Sequence, residues 1–521
     1  MLSRQLPVLR QFGLMTVSAL ALGASFFYED LFFLPWFCFV PFLVALEGVS
    51  IKRAYCLGLA FGCLFFAVAS YWIVGFLLKV SAISFGYAVL LASFYWIYCA
   101  QQFALLAALI IWFSKRKANS EWLSLSLFST LLFYTLPLVF PADMSVTQGK
   151  FLLALQATDI TGSLGLHFII LLHNGLIYGF IKNSRNRLSR CQCRVLSVVI
   201  VWFLYGFCAY YYWSLKEQSW PSINIGVVQP NLAPSINIPE PLRGYSRAYS
   251  PEVESSISLA SAGANLIVWS EARYRGFFNE AYVRDAFKYY ADKTGASFLI
   301  QDLKTNANLT FNSSALVNGE GWQEYSKHLR IPFGEYLPWE NVPLIGSFVK
   351  NIFGDFYTPI AQGEASEPME FKKIKIQPLI CFEVANSYYL ANLIQSASKQ
   401  HKSIQLITVQ SNNSWFETEI EPRLHLTTSQ LRSIEQRLPL VHALNNGPSS
   451  FYKANGQLEA KLPLMARSAA VVNLAYPNQV NLTLFARFPY AFIVLIAVFS
   501  LGWVIVSLIR NKKGERRSID Q

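Results

Sequence analysis

Hydrophobic positions follow two regimes along this chain. Up to residue 216 they form long runs, near 12–28, 31–47, 55–78, 87–113, 122–140, 160–181 and 195–215, and one more covers 490–509. Each approaches the ~20 apolar residues that a helix needs to cross a bilayer core. About eight spanning helices are therefore predicted, the second of them interrupted by Pro35 and Pro41. Seven further spans after the first argue against a cleaved leader. From 217 to 488 the runs shorten and alternate with polar stretches. "INIGVVQ", "NLIVWS", "ASFLIQ", "SALVNG", "IQPLICF", "IQLITVQ" and "LPLVHAL" read as strands, whereas "AYVRDAFKYYADKTG" and "RLHLTTSQLRSIEQR" read as amphipathic helices. Strands alternating with helices predict a layered α/β domain. The chain thus divides into a multi-span membrane domain (1–216, about seven helices), an α/β domain (217–488), and a last span with a basic tail (489–521).

Charge changes this picture by orienting it. The chain carries a net +12, with 14% charged and 53% hydrophobic residues. Residues 217–488 hold 23 basic and 23 acidic side chains, so the excess lies wholly in the apolar part. A nucleic-acid binder would carry its basic patch on the folded domain, so that class is excluded. Arg4 and Arg10, Lys52 and Arg53, Lys115–Lys117, Lys182–Arg194 and the tail from Arg510 instead fall at alternate span ends. The positive-inside rule then puts both termini in the cytoplasm and residues 217–488 outside it.

Candidate chemistry centres on a cysteine. Cys38, Cys56, Cys63, Cys99, Cys191, Cys193 and Cys208 lie in spans or a cytoplasmic loop, and only Cys381 lies in the α/β domain. It has no disulfide partner there. Free cysteines are often small buried hydrophobes. Cys381, however, ends a strand-like run ahead of "EVANSYYLANLIQSAS", where a strand-to-helix turn would expose a nucleophile beside a helix N-terminus that favours the thiolate. No histidine is tied to it by a motif, and no His/Cys/Asp cluster has metal-ligand spacing. Carboxylates serve better: Glu271 follows the strand "NLIVWS", and "EYSKHLRIPFGEYLPWE" offers Lys327 and Glu335. Strand-end Glu, loop Lys and strand-end Cys can act as base, oxyanion clamp and nucleophile.

That ordered set resembles the nitrilase (carbon–nitrogen hydrolase) superfamily, and its context resembles the membrane-embedded branch, the apolipoprotein N-acyltransferases. The resemblance rests on "VVQPN" (227–231), "IVWSEAR" (267–273), "YSKHLRIPFGEYLP" (325–338), "LICFE" (379–383), "SNNSWF" (411–416) and "ALNNGPS" (443–449), with "LQATDITGSLGLHFIILLHN" (155–174) in the apolar half. It implies an α-β-β-α sandwich on an eight-helix base, in a bacterial inner membrane with the catalytic domain on the periplasmic side. It also implies Glu271 as general base, Lys327 as oxyanion stabiliser and Cys381 as nucleophile. Glu335 and Glu383 match supporting active-site acids, and Trp269, Phe382 and Trp415 are candidate substrate contacts. The implied reaction moves an acyl chain from a phospholipid, through a Cys381 thioester, to the α-amine of a diacylated apolipoprotein. No metal, cofactor or nucleic acid is implied.

The sequence departs from the family's common pattern at Ser270, Phe382, Asn413, Glu417, Glu421 (where glycine is usual) and His442. These positions bear on substrate contacts. A membrane-tethered amidase, or a relative with a different acyl acceptor, is the alternative reading of the same set.

Overall fold

The structure, a computed structural model, describes residues 6–80, 83–117, 120–140, 142–183, 189–234, 238–272, 274–339, 342–353, 359–364, 367–416 and 418–519. Arg4, Arg185 and Arg187, counted above among the orienting cations, lie outside the described residues. The chain separates into two units: 1–74 with 85–209 and 488–521, and 75–84 with 210–487.

The first unit is helical. Its elements are α1 (Val8–Phe27), α2 (Phe39–Ala45), α3 (Ile51–Ala69), α4 (Trp72–Val80, whose end belongs to the second unit), α5 (Phe85–Ser114) and α6 (Glu121–Thr135). There follow α7 (Leu152–Leu155), α8 (Thr158–Thr161), α9 (Ser163–Lys182) and α10 (Arg190–Glu217, whose end from Tyr210 belongs to the second unit). Among the described residues six helices are long and apolar enough to cross a membrane: Val8–Phe27, Ile51–Ala69, Phe85–Ser114, Ser163–Lys182, Gln192–Glu217 and Ala491–Ile509. The protein is a multi-pass membrane protein on this evidence, but two of the eight expected spans are not single long helices. Residues 29–36 form two short 3-10 turns ahead of the seven-residue α2, where Pro35 and Pro41 restrict the backbone. The fifth span is the 15-residue α6, ended before Pro137.

Close backbone contact holds α3 on α5. A Cβ at Gly58 would sit 2.3 Å from the Phe103 carbonyl oxygen, and one at Gly62 would sit 2.6 Å from the Ala100 Cα. Small residues allow this approach, which is how helices associate when burial from water supplies little drive. Gly58→Ala should therefore lower stability in detergent by about 1–3 kcal/mol, the cost of overpacking. Thermal unfolding of purified protein tests this; a midpoint equal to wild type would show that the contact yields freely.

The second unit is a two-sheet sandwich. The first sheet runs β12-β1-β2-β3-β4-β5, with β1 (Ser222–Gln229), β2 (Leu266–Trp269), β3 (Ser297–Asn306), β4 (Leu309–Val317), β5 (Trp322–Ser326) and β12 (Ser468–Ala475). The second runs β11-β10-β9-β8-β7-β6, with β6 (Met369–Phe371), β7 (Ile374–Ile380), β8 (Leu406–Ser411), β9 (Leu440–Leu444), β10 (Ser450–Tyr452) and β11 (Leu458–Lys461). Side-chain alternation builds three apolar layers. Ile225, Val227, Leu266, Val268, Ile376, Ile380 and Val441 meet between the sheets. On the outer face of the first sheet, Ile267, Trp269 and Phe298 pack under α11 (Pro251–Ser261) and α12 (Ala281–Thr294). On the outer face of the second, Leu379, Ile407 and Val409 pack with Leu390 and Ile394 of α14 (Ser387–Lys399); α13 (Ile345–Phe353) precedes this sheet in sequence. The order is helix, sheet, sheet, helix. Next come α15 (Ile420–Gln436), α16 (Leu484–Arg487) and, in the first unit, α17 (Ala491–Ile519).

Candidate active site

Strand ends deliver the chemistry to one place. Glu271 lies two residues past β2, Lys327 one residue past β5, and Cys381 one residue past β7. Cys381 opens a 3-10 turn, Cys381–Ala385, with φ +51°, a left-handed conformation that a side-chain-bearing residue adopts at a cost. Glu383 holds that turn. Its carboxylate accepts from the Ile380 N–H (2.9 Å), the His328 N–H (2.8 Å), the Leu329 N–H (3.1 Å) and the Tyr325 hydroxyl (2.8 Å). One fully buried side chain thereby ties the Cys381 turn to the lysine's loop.

A tight turn over 331–336 aims Glu335 back at Lys327. Glu335 Oε2 accepts from the Ile331 N–H at 2.9 Å, and Oε1 accepts from Lys327 Nζ at 2.8 Å, with the lysine 1% exposed. Asn312, on β4, donates from Nδ2 to Glu335 (3.1 Å) and to Glu271 (2.9 Å), joining the two carboxylates. Gln301 orients Asn312 at 2.7 Å and accepts the Ala272 N–H at 2.6 Å.

Electrostatics follow from this packing. Burial pushes Glu271 above the ordinary carboxylate range, with Lys327 opposing. Burial alone would lower Lys327, but Glu335, Cys381 and Glu271 outweigh it and hold the ammonium's pKa above its usual value. The Cys381 thiol is held well above its usual value, by burial first and by the Glu271 charge second, against Lys327. The sequence expectation of a helix terminus favouring the thiolate is thus corrected. The following helix, α14, starts only at Ser387, and burial beside carboxylates governs the thiol. The arrangement suits a thiol that gives up its proton as it attacks, to a carboxylate whose raised pKa makes it a competent base.

Comparison with known proteins adds the family. A profile of the apolipoprotein N-acyltransferase N-terminal domain matches residues 18–176. A Shewanella oneidensis protein named apolipoprotein N-acyltransferase is 26% identical, over 91% of this chain and 92% of its own. One of the same name from Geobacter metallireducens is 26% identical over 89% of each. Over nine-tenths of its length the chain is similar to proteins named apolipoprotein N-acyltransferase. Among solved structures, a nitrilase-superfamily amidase of Nesterenkonia AN1 matches 49% of this chain and 90% of its own, at 15% identity and a TM-score of 0.35.

Within that family frame the remaining expected residues fall unevenly. Phe382 and Trp415 are partly buried, on the Cys381 turn and on the loop after β8. Trp269 is not at the site. It follows Ile267 in the strand alternation, so its ring faces the helices, fully buried on Phe287 and Phe298, with Nε1 donating to Ser256 at 2.8 Å. Expecting it among substrate contacts overlooked that parity. Ser270 is buried, and its hydroxyl has no partner among the described residues. His442 sits between Ser429 (2.9 Å) and Ser411 (2.8 Å), and Glu417 lies outside the described residues. Sequence reasoning missed Asn312, Gln301 and Tyr325. The signal was a polar residue at a buried strand position, where only a hydrogen-bonding task repays desolvation.

Glu383→Gln should hurt without altering Cys381 itself. Gln replaces two acceptor oxygens by one and adds an N–H facing backbone donors. Stability should fall by about 1–3 kcal/mol, and Cys381 should react more slowly with a thiol reagent. Denaturant titration and alkylation kinetics read both; wild-type values in each would make the four hydrogen bonds incidental.

Proposed function

We propose that the protein transfers an acyl chain from a phospholipid to the α-amine of an apolipoprotein's diacylglyceryl-cysteine. Glu271 takes the Cys381 proton as sulfur attacks the ester carbonyl. Lys327, braced by Glu335, stabilises the tetrahedral oxyanion. The carbon–oxygen bond then breaks, Glu271 returns the proton to the leaving alkoxide, and a lysophospholipid departs. In the second half the amine attacks the thioester. The carbon–nitrogen bond forms, the carbon–sulfur bond breaks, and Glu271 carries the amine's proton to the thiolate. A thioester suits both halves because a thiolate is a good nucleophile and a good leaving group. Phe382 and Trp415 contact substrate in this reading, and Glu383 positions the turn.

The observation that carries the proposal is the convergence of Glu271, Lys327, Glu335 and Cys381 in a chain related over nine-tenths of its length to proteins of that name. We also assign 217–488 as the catalytic domain, on the periplasmic face of a bacterial inner membrane, with 1–216 and 489–521 as membrane segments. The positive-inside distribution supports that sidedness.

The test supplies purified enzyme with phospholipid carrying labelled acyl chains and a diacylated lipopeptide. Label should appear in amide linkage on the lipopeptide, and none should appear when its α-amine is acetylated. Label released only as free fatty acid would point to a hydrolase.

A further inference from the structure

The catalytic set leaves one carboxyl group beside the nucleophile unaccounted for. Glu421 stands in the first turn of α15, with its side chain 12% exposed. Its Oε2 is sealed from solvent and has no hydrogen-bond partner among the described residues, and its Oε1 lies 3.9 Å from His425 Nδ1, beyond hydrogen-bond reach. His425 gives it no charge. Burial drives that imidazole down to about 4, so the ring is neutral near pH 7, with Nδ1 3.1 Å from the Asn413 amide, and α15 packs against the Cys381–Ala385 turn. Lys327 is committed to Glu335. Yet the Glu421 charge is felt at the Cys381 sulfur, where it adds to the forces raising the thiol.

Removing a carboxyl group from water without a partner is costly. A ligand cation would supply what is missing. We infer that Glu421 is the docking point for the acceptor's α-ammonium, pairing with it and taking the proton the amine sheds before it attacks the Cys381 thioester. This rests on the acyl-transfer reading, and it divides two protons between two carboxylates. The ammonium N–H proton passes to Glu421, which frees the nitrogen lone pair. The lone pair forms the carbon–nitrogen bond, the carbon–sulfur bond breaks, and the second proton goes through Glu271 to the thiolate. Burial places Glu421 at about 8, and an α-amine titrates near ~7.7–8.0. One proton shared between the two groups can therefore rest on either.

The test isolates full-length enzyme in detergent, acylated on Cys381 from phospholipid. It times discharge by a diacylated lipopeptide and, separately, by hydroxylamine, which is uncharged at neutral pH. Glu421→Gln should slow the lipopeptide about tenfold or more relative to hydroxylamine, the scale of a lost charge-assisted hydrogen bond. Glu421→Asp should recover part of that ratio. A fault in packing alone would slow both acceptors together. Equal slowing, or a lipopeptide rate within twofold of wild type, would overturn the inference. If Glu421→Gln does not fold, Glu421→Ala is scored by the same ratio. Wild-type acyl-enzyme that hydroxylamine discharges and the lipopeptide does not would overturn the acyl-transfer reading itself, and this inference with it.

Discussion

Cys381→Ser should abolish acyl transfer, lowering kcat by ~10^4-fold or more, the scale seen when a nucleophile acting within a catalytic unit is removed. The replacement is nearly isosteric, so the turn held by Glu383 should persist and the protein should remain folded. What changes is chemistry. The thiol is already held well above its ordinary pKa by burial and by Glu271. An alcohol in the same place gives up its proton far less readily, and an oxygen ester is a poorer acyl donor to an amine than a thioester. Both halves of the reaction should fail. Wild-type turnover in the serine variant, with unchanged thermal unfolding, would mean that the acyl group never rests on this residue.

The second large effect is expected at Lys327. Lys327→Met keeps the length of the side chain and removes the charge. Loss of an oxyanion stabiliser should cost about 10^2–10^3 in kcat. Because Lys327 is 1% exposed and bonded to Glu335 at 2.8 Å, the variant also leaves Glu335 and Glu271 joined through Asn312 without a cation. Breaking such a buried pair by removing one partner should destabilise by about 3–5 kcal/mol. Lys327→Met with Glu335→Gln should recover much of the stability and none of the activity. Denaturant unfolding and acyl-transfer assays on the single and double variants separate the two losses. Recovery of activity in the double variant would remove Lys327 from the oxyanion role.

Much of the architecture was legible in hydrophobic periodicity. The predicted run 87–113 is α5, Phe85–Ser114, and "RLHLTTSQLRSIEQR" falls in α15 up to its last residue, Arg437, which caps it. Period alone could not show that the run 31–47 breaks into short 3-10 turns and the seven-residue α2, because total hydrophobicity there resembles a span while its prolines act locally. At the site, residue type and strand-end position singled out Glu271, Lys327, Glu335 and Cys381, which the structure brings together. Contacts across the sandwich were not legible. Asn312 joins two carboxylates that lie 64 positions apart in the sequence, and Glu383 ties residues 325–329 to Ile380. Trp269 was misread because its motif neighbours Glu271, whereas pleat parity sends its ring to the other face. Glu421 stood out in the sequence only as a departure from the family's common glycine; that its Oε2 is sealed without a partner among the described residues could not be read there.

The most direct measurement is the intact mass and peptide map of purified enzyme after exposure to phospholipid alone. The account predicts a gain of one acyl chain, located on Cys381, that persists in buffer and disappears when a diacylated lipopeptide is added. No adduct on folded protein across several donors, or an adduct on another residue, would contradict it.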